Sequence, residues 1–111
     1  MTKIDDTTRL QHMLDYSRKA CEFTQGKTQA DLESDEVLTL AIVRLIEIVG
    51  EAAANVSPER REEFPDIPWS EIIGMRNRVV HAYFDVNFNI VWNTVTYNLP
   101  SLIAQLEASL G

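Results

Sequence analysis

Apolar positions along the chain fall into four long patterns and one short piece, all with helical spacing. In the first, Leu10, Met13, Leu14 and Cys21 share one face, while Arg9, Asp15, Arg18, Lys19 and Glu22 take the other. Thr7 or Thr8 is placed to cap this helix and Gly26 to stop it. The second pattern opens with Ser34 as cap and Asp35 and Glu36 in the first turn, where the helix dipole favours acids. From Val37 to Ala53 it is apolar nearly all round, which predicts a helix that is central or covered by a partner. Ile42, Val43, Ile46, Ile48 and Val49 are β-branched, but a run of about 20 residues favours helix over strand. Gly50, Ala52, Ala53 and Ala54 leave room for another backbone to come close.

A short piece follows, with Ser57 as cap and Pro58 at the first helical position, closing at Phe64-Pro65. Pro65 and Pro68 bracket a rigid connector. The next helix starts at Trp69-Ser70 and is predicted to run from Glu71 to about Ala82. The last spans roughly Asn89 to Leu110, with a kink or break near Leu99, because Pro100 lacks a backbone donor. No segment alternates with period two. The pattern predicts one all-α domain over residues 1–111, an up-down bundle of four to five helices.

Composition narrows the function classes. Seventeen acids against ten bases give a net charge of −7, which disfavours broad, nonspecific nucleic-acid binding. Cys21 is the lone cysteine, so no disulfide framework exists and a reducing compartment fits. The stretch MTKIDDTTRLQHML places acids where a signal peptide needs an apolar core. Arg44, Glu47 and Glu51 interrupt the most hydrophobic stretch and argue against a membrane span. The expectation is a soluble cytoplasmic domain.

Candidate chemistry emerges by elimination. His12 and His81 are far apart and no cysteine pair exists, so a structural metal site is not expected. No glycine-rich loop precedes a helix to cradle a nucleotide phosphate. What remains is IIGMRNRVVHAYF, residues 72–84, which holds Arg76, Asn77, Arg78, His81 and Tyr83 and no acid. Residues 1–70 carry eight bases and fourteen acids, whereas 71–111 carry two and three, both of those bases lying in this island. A local positive site can grip one phosphate whatever the global charge.

On an unbroken helix Asn77 and His81, four apart, share a face, and the amide can orient the imidazole. Arg76 and His81, five apart, lie about 140° apart on such a helix. They meet only if the helix ends or bends near His81, or across a two-fold interface. Glu47 and Glu51 are also four apart, in reach of Arg44 on the same helix or of Arg76 or Arg78 from the later one. A salt-bridge network supporting the site is the expected role. Read singly, Arg76 and Arg78 are solvated helix positions, His81 is a helix-terminal partner of the dipole, and Tyr83 is a rim aromatic. His12 reads as structural, and Trp69 and Trp92 as core or interface anchors.

Taken together, the string Arg76-Asn77-x-x-x-His81-x-Tyr83 resembles the signature of HEPN domains, closest to the HepT-like toxins of HEPN/MNT toxin–antitoxin systems. The segment IPWSEIIGMRNRVVHAYF and the run from Arg44 to Ala52 are similar to the same family, and the likeness covers nearly the whole chain. The resemblance implies a HEPN-like homodimer acting as a metal-independent endoribonuclease, the toxin half of a type II-like pair, on tRNA or mRNA and not DNA, with no cofactor. It implies that Arg76 binds the scissile phosphate, His81 serves as general base or acid, and Asn77 holds His81, in a cleft where two copies meet. It further implies that a minimal nucleotidyltransferase antitoxin adds AMP to Tyr83, placing a repelling phosphate in the cleft. Some HEPN domains do not catalyse, so the alternative is a helical dimer that binds a nucleotide or a protein through the same basic cleft.

Overall fold

A computed structural model describes residues 5–82 and 85–110, with the side chains of 80–82 and 85 left aside. Tyr83 therefore lies outside the described residues. Four helical rods form the all-α frame: α1 (Asp6–Thr24), α3 (Glu36–Ala54), α5 (Trp69–Val79) and a last rod from Phe88 to Leu110. Two short helices, α2 (Gln29–Ser34) and α4 (Pro58–Arg61), sit in the connections. Helix α1 packs on α3 and on the final helix, and α3 packs on α5. The core between them comprises Leu10, Met13 and Leu14 of α1, Ile42, Ile46 and Val49 of α3, Ile72, Met75 and Val79 of α5, and Leu99, Leu102 and Leu106 near the C-terminus.

The helix starts differ from the sequence expectation by small shifts. Asp5, and not Thr7 or Thr8, caps α1 by accepting the Thr8 N–H at 2.8 Å. Asp35, and not Ser34, caps α3 through the Leu38 N–H at 3.0 Å. The unpredicted α2 is closed by a reciprocal capping box between Thr28 and Asp31. Those hydrogen bonds, from the Thr28 backbone first, hold the Asp31 carboxyl below its ordinary range. Gly26, at φ +75°, ends the turn after α1 as anticipated. Ser57 caps α4 as read from the sequence, and its own N–H and hydroxyl reach the Asp6 carboxylate at 3.0 and 2.6 Å, fastening α4 to α1. Arg61 spans the end of α3, donating to the carbonyls of Val56 (3.1 Å) and Ala54 (3.1 Å), where a cation meets the negative end of the dipole.

The last rod breaks where Pro100 requires it. After α6 (Phe88–Asn93), residues Thr94–Asn98 widen into a π turn, and α7 runs from Leu99 to Leu110. The Leu99 N–H bonds the Thr94 carbonyl, five residues back. The wider turn makes room for the proline ring and absorbs its missing donor.

Helix α5 is shorter than expected. It ends at Val79, and two short antiparallel strands follow, β1 (Val80–Ala82) and β2 (Asp85–Val86), with Val80 opposite Val86 and Ala82 opposite Asp85. The Val79 carbonyl accepts the Asn87 N–H at 2.9 Å, so it leaves the helical ladder for the hairpin.

Among the described residues, three buried polar atoms lack a hydrogen-bond partner: Arg9 Nε, Ser17 Oγ and Gln105 Oε1. The Ser17 hydroxyl, on a fully buried residue in α1, has no hydrogen-bond partner among the described residues. Ser17→Ala removes that unpaired polar atom, so thermal denaturation should show a gain of about 1 kcal/mol, or several degrees in Tm.

Candidate active site in the groove between α3 and α5

Helices α3 and α5 approach closely at Gly50. A Cβ at this position would stand 3.2 Å from the Ile72 carbonyl oxygen and 3.4 Å from that of Ile73. The small residue thus sets how near the two backbones lie. Beside this contact opens a groove of about 220 Å³ lined by Glu47, Gly50, Glu51 and Ala54 of α3 and Ile73, Arg76 and Asn77 of α5. The structure therefore brings together four of the positions singled out in the sequence: Glu47, Glu51, Arg76 and Asn77. Of the other lining residues, Gly50 and Ala54 were noted only as part of the small-residue run that allows a close approach, and Ile73 had no assigned part.

The charges in the groove are sorted. Arg44 reaches both carboxylates, with Nη1 3.7 Å from Glu47 Oε2 and 3.4 Å from Glu51 Oε1. Arg78 turns back along its own helix instead, donating to the Glu71 carbonyl at 2.9 Å and lying 3.9 Å from its carboxylate. Arg78 is thus outside the groove. Arg76 is exposed on the last turn of α5, and among the described residues no carboxylate oxygen lies within 4.0 Å of it. An open guanidinium at the mouth of a groove is a ready phosphate ligand, since its planar fork matches two phosphate oxygens.

The end of α5 at Val79 corrects the shared-face expectation for Asn77 and His81. His81 lies in β1, two residues past the helix, so the four-residue helical spacing does not apply to this pair, and the His81 side chain lies outside the described ones. The 140° separation from Arg76 lapses for the same reason, since residue 81 stands in a strand and not on the helix. Elsewhere, burial pushes the Cys21 thiol pKa up, which disfavours the thiolate, and its Sγ lies 3.7 Å from the Val95 carbonyl oxygen. Among the described residues no three His, Cys, Asp or Glu side chains cluster, and no described helix is long and apolar enough to cross a membrane.

Trp69 and the connector fix the start of α5. Its indole N–H donates to the Phe64 carbonyl at 3.2 Å, and the Arg61 guanidinium lies 5.7 Å from its ring centre. Trp69 acts as the anchor expected of it, tying the Pro65–Pro68 connector to the helix that carries Arg76 and Asn77.

Comparison with known proteins gives a consistent picture. The sequence pattern of the family described as "Ribonuclease HepT-like" matches residues 13–109. The chain is 41% identical over 101 residues to "Putative RNase TTE0752" of Caldanaerobacter subterraneus subsp. tengcongensis, covering 91% of this chain and 90% of that one. It is 37% identical over 86 residues to "Probable ribonuclease HepT" of Thermococcus cleftensis, covering 78% of each. No solved structure matches.

Proposed function

Because the chain belongs to the HepT-like ribonuclease family, we propose that it is a metal-independent endoribonuclease toxin whose groove between α3 and α5 holds the scissile phosphate. The observation that carries this reading is the exposed Arg76 guanidinium, without a carboxylate partner among the described residues, beside Asn77 and five residues ahead of His81. In the proposed reaction the ribose 2′-hydroxyl attacks the adjacent phosphorus. His81 takes the 2′ proton, the bond from phosphorus to the 5′-oxygen breaks, and an acid returns a proton to that oxygen. The products are a 2′,3′-cyclic phosphate and a 5′-hydroxyl, and the nucleophile comes from the substrate itself. Arg76 neutralises the charge that grows on the phosphoryl oxygens. Asn77 offers an amide to the ribose or to the imidazole.

The active form in this reading is a homodimer whose two grooves face a common cleft. Support comes from α3, where Val37 and Leu40 are 78% and 60% exposed on the helix that carries Glu47 and Glu51. An apolar helix face left in solvent is expected where a second surface covers it. The antitoxin is proposed to be a nucleotidyltransferase that esterifies the Tyr83 hydroxyl with AMP. Its phosphate would compete with RNA for the Arg76 pair of the cleft.

Purified protein incubated with total tRNA and mRNA in EDTA should cleave RNA. Protein produced beside its nucleotidyltransferase should be inactive and should carry one added AMP on the Tyr83 peptide by mass spectrometry. Failure of unmodified protein to cut at any dose, with oligonucleotide binding retained, would favour the non-catalytic dimer.

A further inference from the structure

Resting on the ribonuclease reading above, we infer that Arg44 is a positioning residue: it draws Glu47 and Glu51 toward itself and so keeps the Arg76 guanidinium open for phosphate. Glu47, Glu51 and Arg76 line one small groove, so opposite charges share a confined space. Yet both carboxylates are paired with Arg44, at 3.7 and 3.4 Å, and none comes within 4.0 Å of Arg76. The spacing explains the arrangement. Residues 44, 47 and 51 follow helical neighbours along α3, so one guanidinium serves both acids on a single face. Arg76 approaches the same acids from α5.

Without Arg44, the cation left beside Glu47 and Glu51 among the described groove residues is Arg76. A carboxylate moving onto it would fill the fork that two phosphate oxygens need and would cancel its charge. Arg44 thus acts through the carboxylates and not on the substrate. Exposed ion pairs shift such equilibria modestly, so its loss should weaken phosphate-backbone binding by about three- to tenfold.

The test starts with the free protein, where arginine side-chain NMR reads the Arg76 Nε–H directly. In the unaltered protein this proton should exchange as fast as that of an unpaired guanidinium. Arg44→Gln should slow the exchange several-fold, and adding Glu47→Gln and Glu51→Gln should restore it. Binding of a fully 2′-O-methylated, uncleavable oligoribonucleotide should weaken and recover in parallel. Arg18→Gln breaks the exposed Arg18–Glu107 pair between α1 and α7 and removes the same unit charge elsewhere. It should change binding by less than twofold. An Arg76 Nε–H that does not change in Arg44→Gln would overturn the inference, as would binding that the two glutamines fail to restore or that Arg18→Gln weakens equally. The exchange measurement needs no RNA. A protein that neither binds nor cuts RNA would therefore refute the ribonuclease reading, while the Arg44 arrangement is decided separately.

Discussion

His81→Ala should abolish RNA cleavage, and Arg76→Ala should lower it by about 10² to 10³, while both proteins keep the fold and Tm of the parent. The first change removes the proposed proton acceptor, a role that by itself contributes typically 10² to 10⁴ in rate. The second removes the donor fork facing the charge that develops on phosphorus, an effect of the size seen when one such donor is lost. Arg76 is exposed and holds no ion pair among the described residues, so its truncation leaves no buried group stranded. Arg76→Lys should recover only part of the rate, because a point charge cannot span two phosphate oxygens. Single-turnover kinetics on a defined RNA, with circular dichroism as the folding control, checks both. Equal loss of activity and of helical signal would show a fold defect and no chemical role.

The largest effect on stability is expected at Gly50. Gly50→Leu drives a side chain into the Ile72 and Ile73 carbonyls, which a Cβ alone already meets at 3.2 and 3.4 Å. Those atoms are helix backbone and cannot rotate aside, so α3 and α5 must separate. A cost of about 3 kcal/mol follows, or roughly 10–20 °C in Tm, together with loss of the groove's shape. Gly50→Ala should cost less, since about 1 kcal/mol of helix propensity opposes the crowding. Gly74, on α5, provides the contrast: nothing lies within 4 Å of a Cβ there, so Gly74→Ala should raise stability by about 1 kcal/mol. Thermal melts of the three variants rank them directly.

The long elements were legible because each carries a sustained apolar period and a local stop. Pro100 announced the break that became the π turn at Thr94–Asn98, and Ser57-Pro58 announced α4. Helix α2 escaped because six residues with one buried apolar side chain, Leu32, show no period, although the Thr28–Asp31 capping box was present in the sequence. The cap of α3 fell on Asp35 and not Ser34 because adjacent residues of equal capping ability leave the choice to the packing around them. The early end of α5 was hidden for a different reason. Val79 and Val80 continue the helical pattern, and it is tertiary bonding, the Asn87 N–H to the Val79 carbonyl together with the β1–β2 pairing, that takes the chain out of the helix.

The site was legible in part as well. Arg76, Asn77, Glu47 and Glu51 were each singled out from charge and spacing, and they do line one groove. Which cation would take the two carboxylates could not be read from spacing, because Arg44, Arg76 and Arg78 were all in range. That choice depends on how α5 packs against α3, whose backbones come close at Gly50. Arg78, on the other side of α5, is then left to pair with Glu71. The net charge of −7 sets the same limit throughout: it is incompatible with a broad basic surface but leaves a confined grip on one or two phosphates open.

The most direct test of the central claim is the chemistry of the product ends. A defined single-stranded RNA, incubated with the purified, unmodified protein in EDTA, should yield fragments ending in 2′,3′-cyclic phosphate and beginning with 5′-hydroxyl, as read by mass spectrometry. Fragments with 3′-hydroxyl and 5′-phosphate ends, or cleavage that EDTA abolishes, would contradict it.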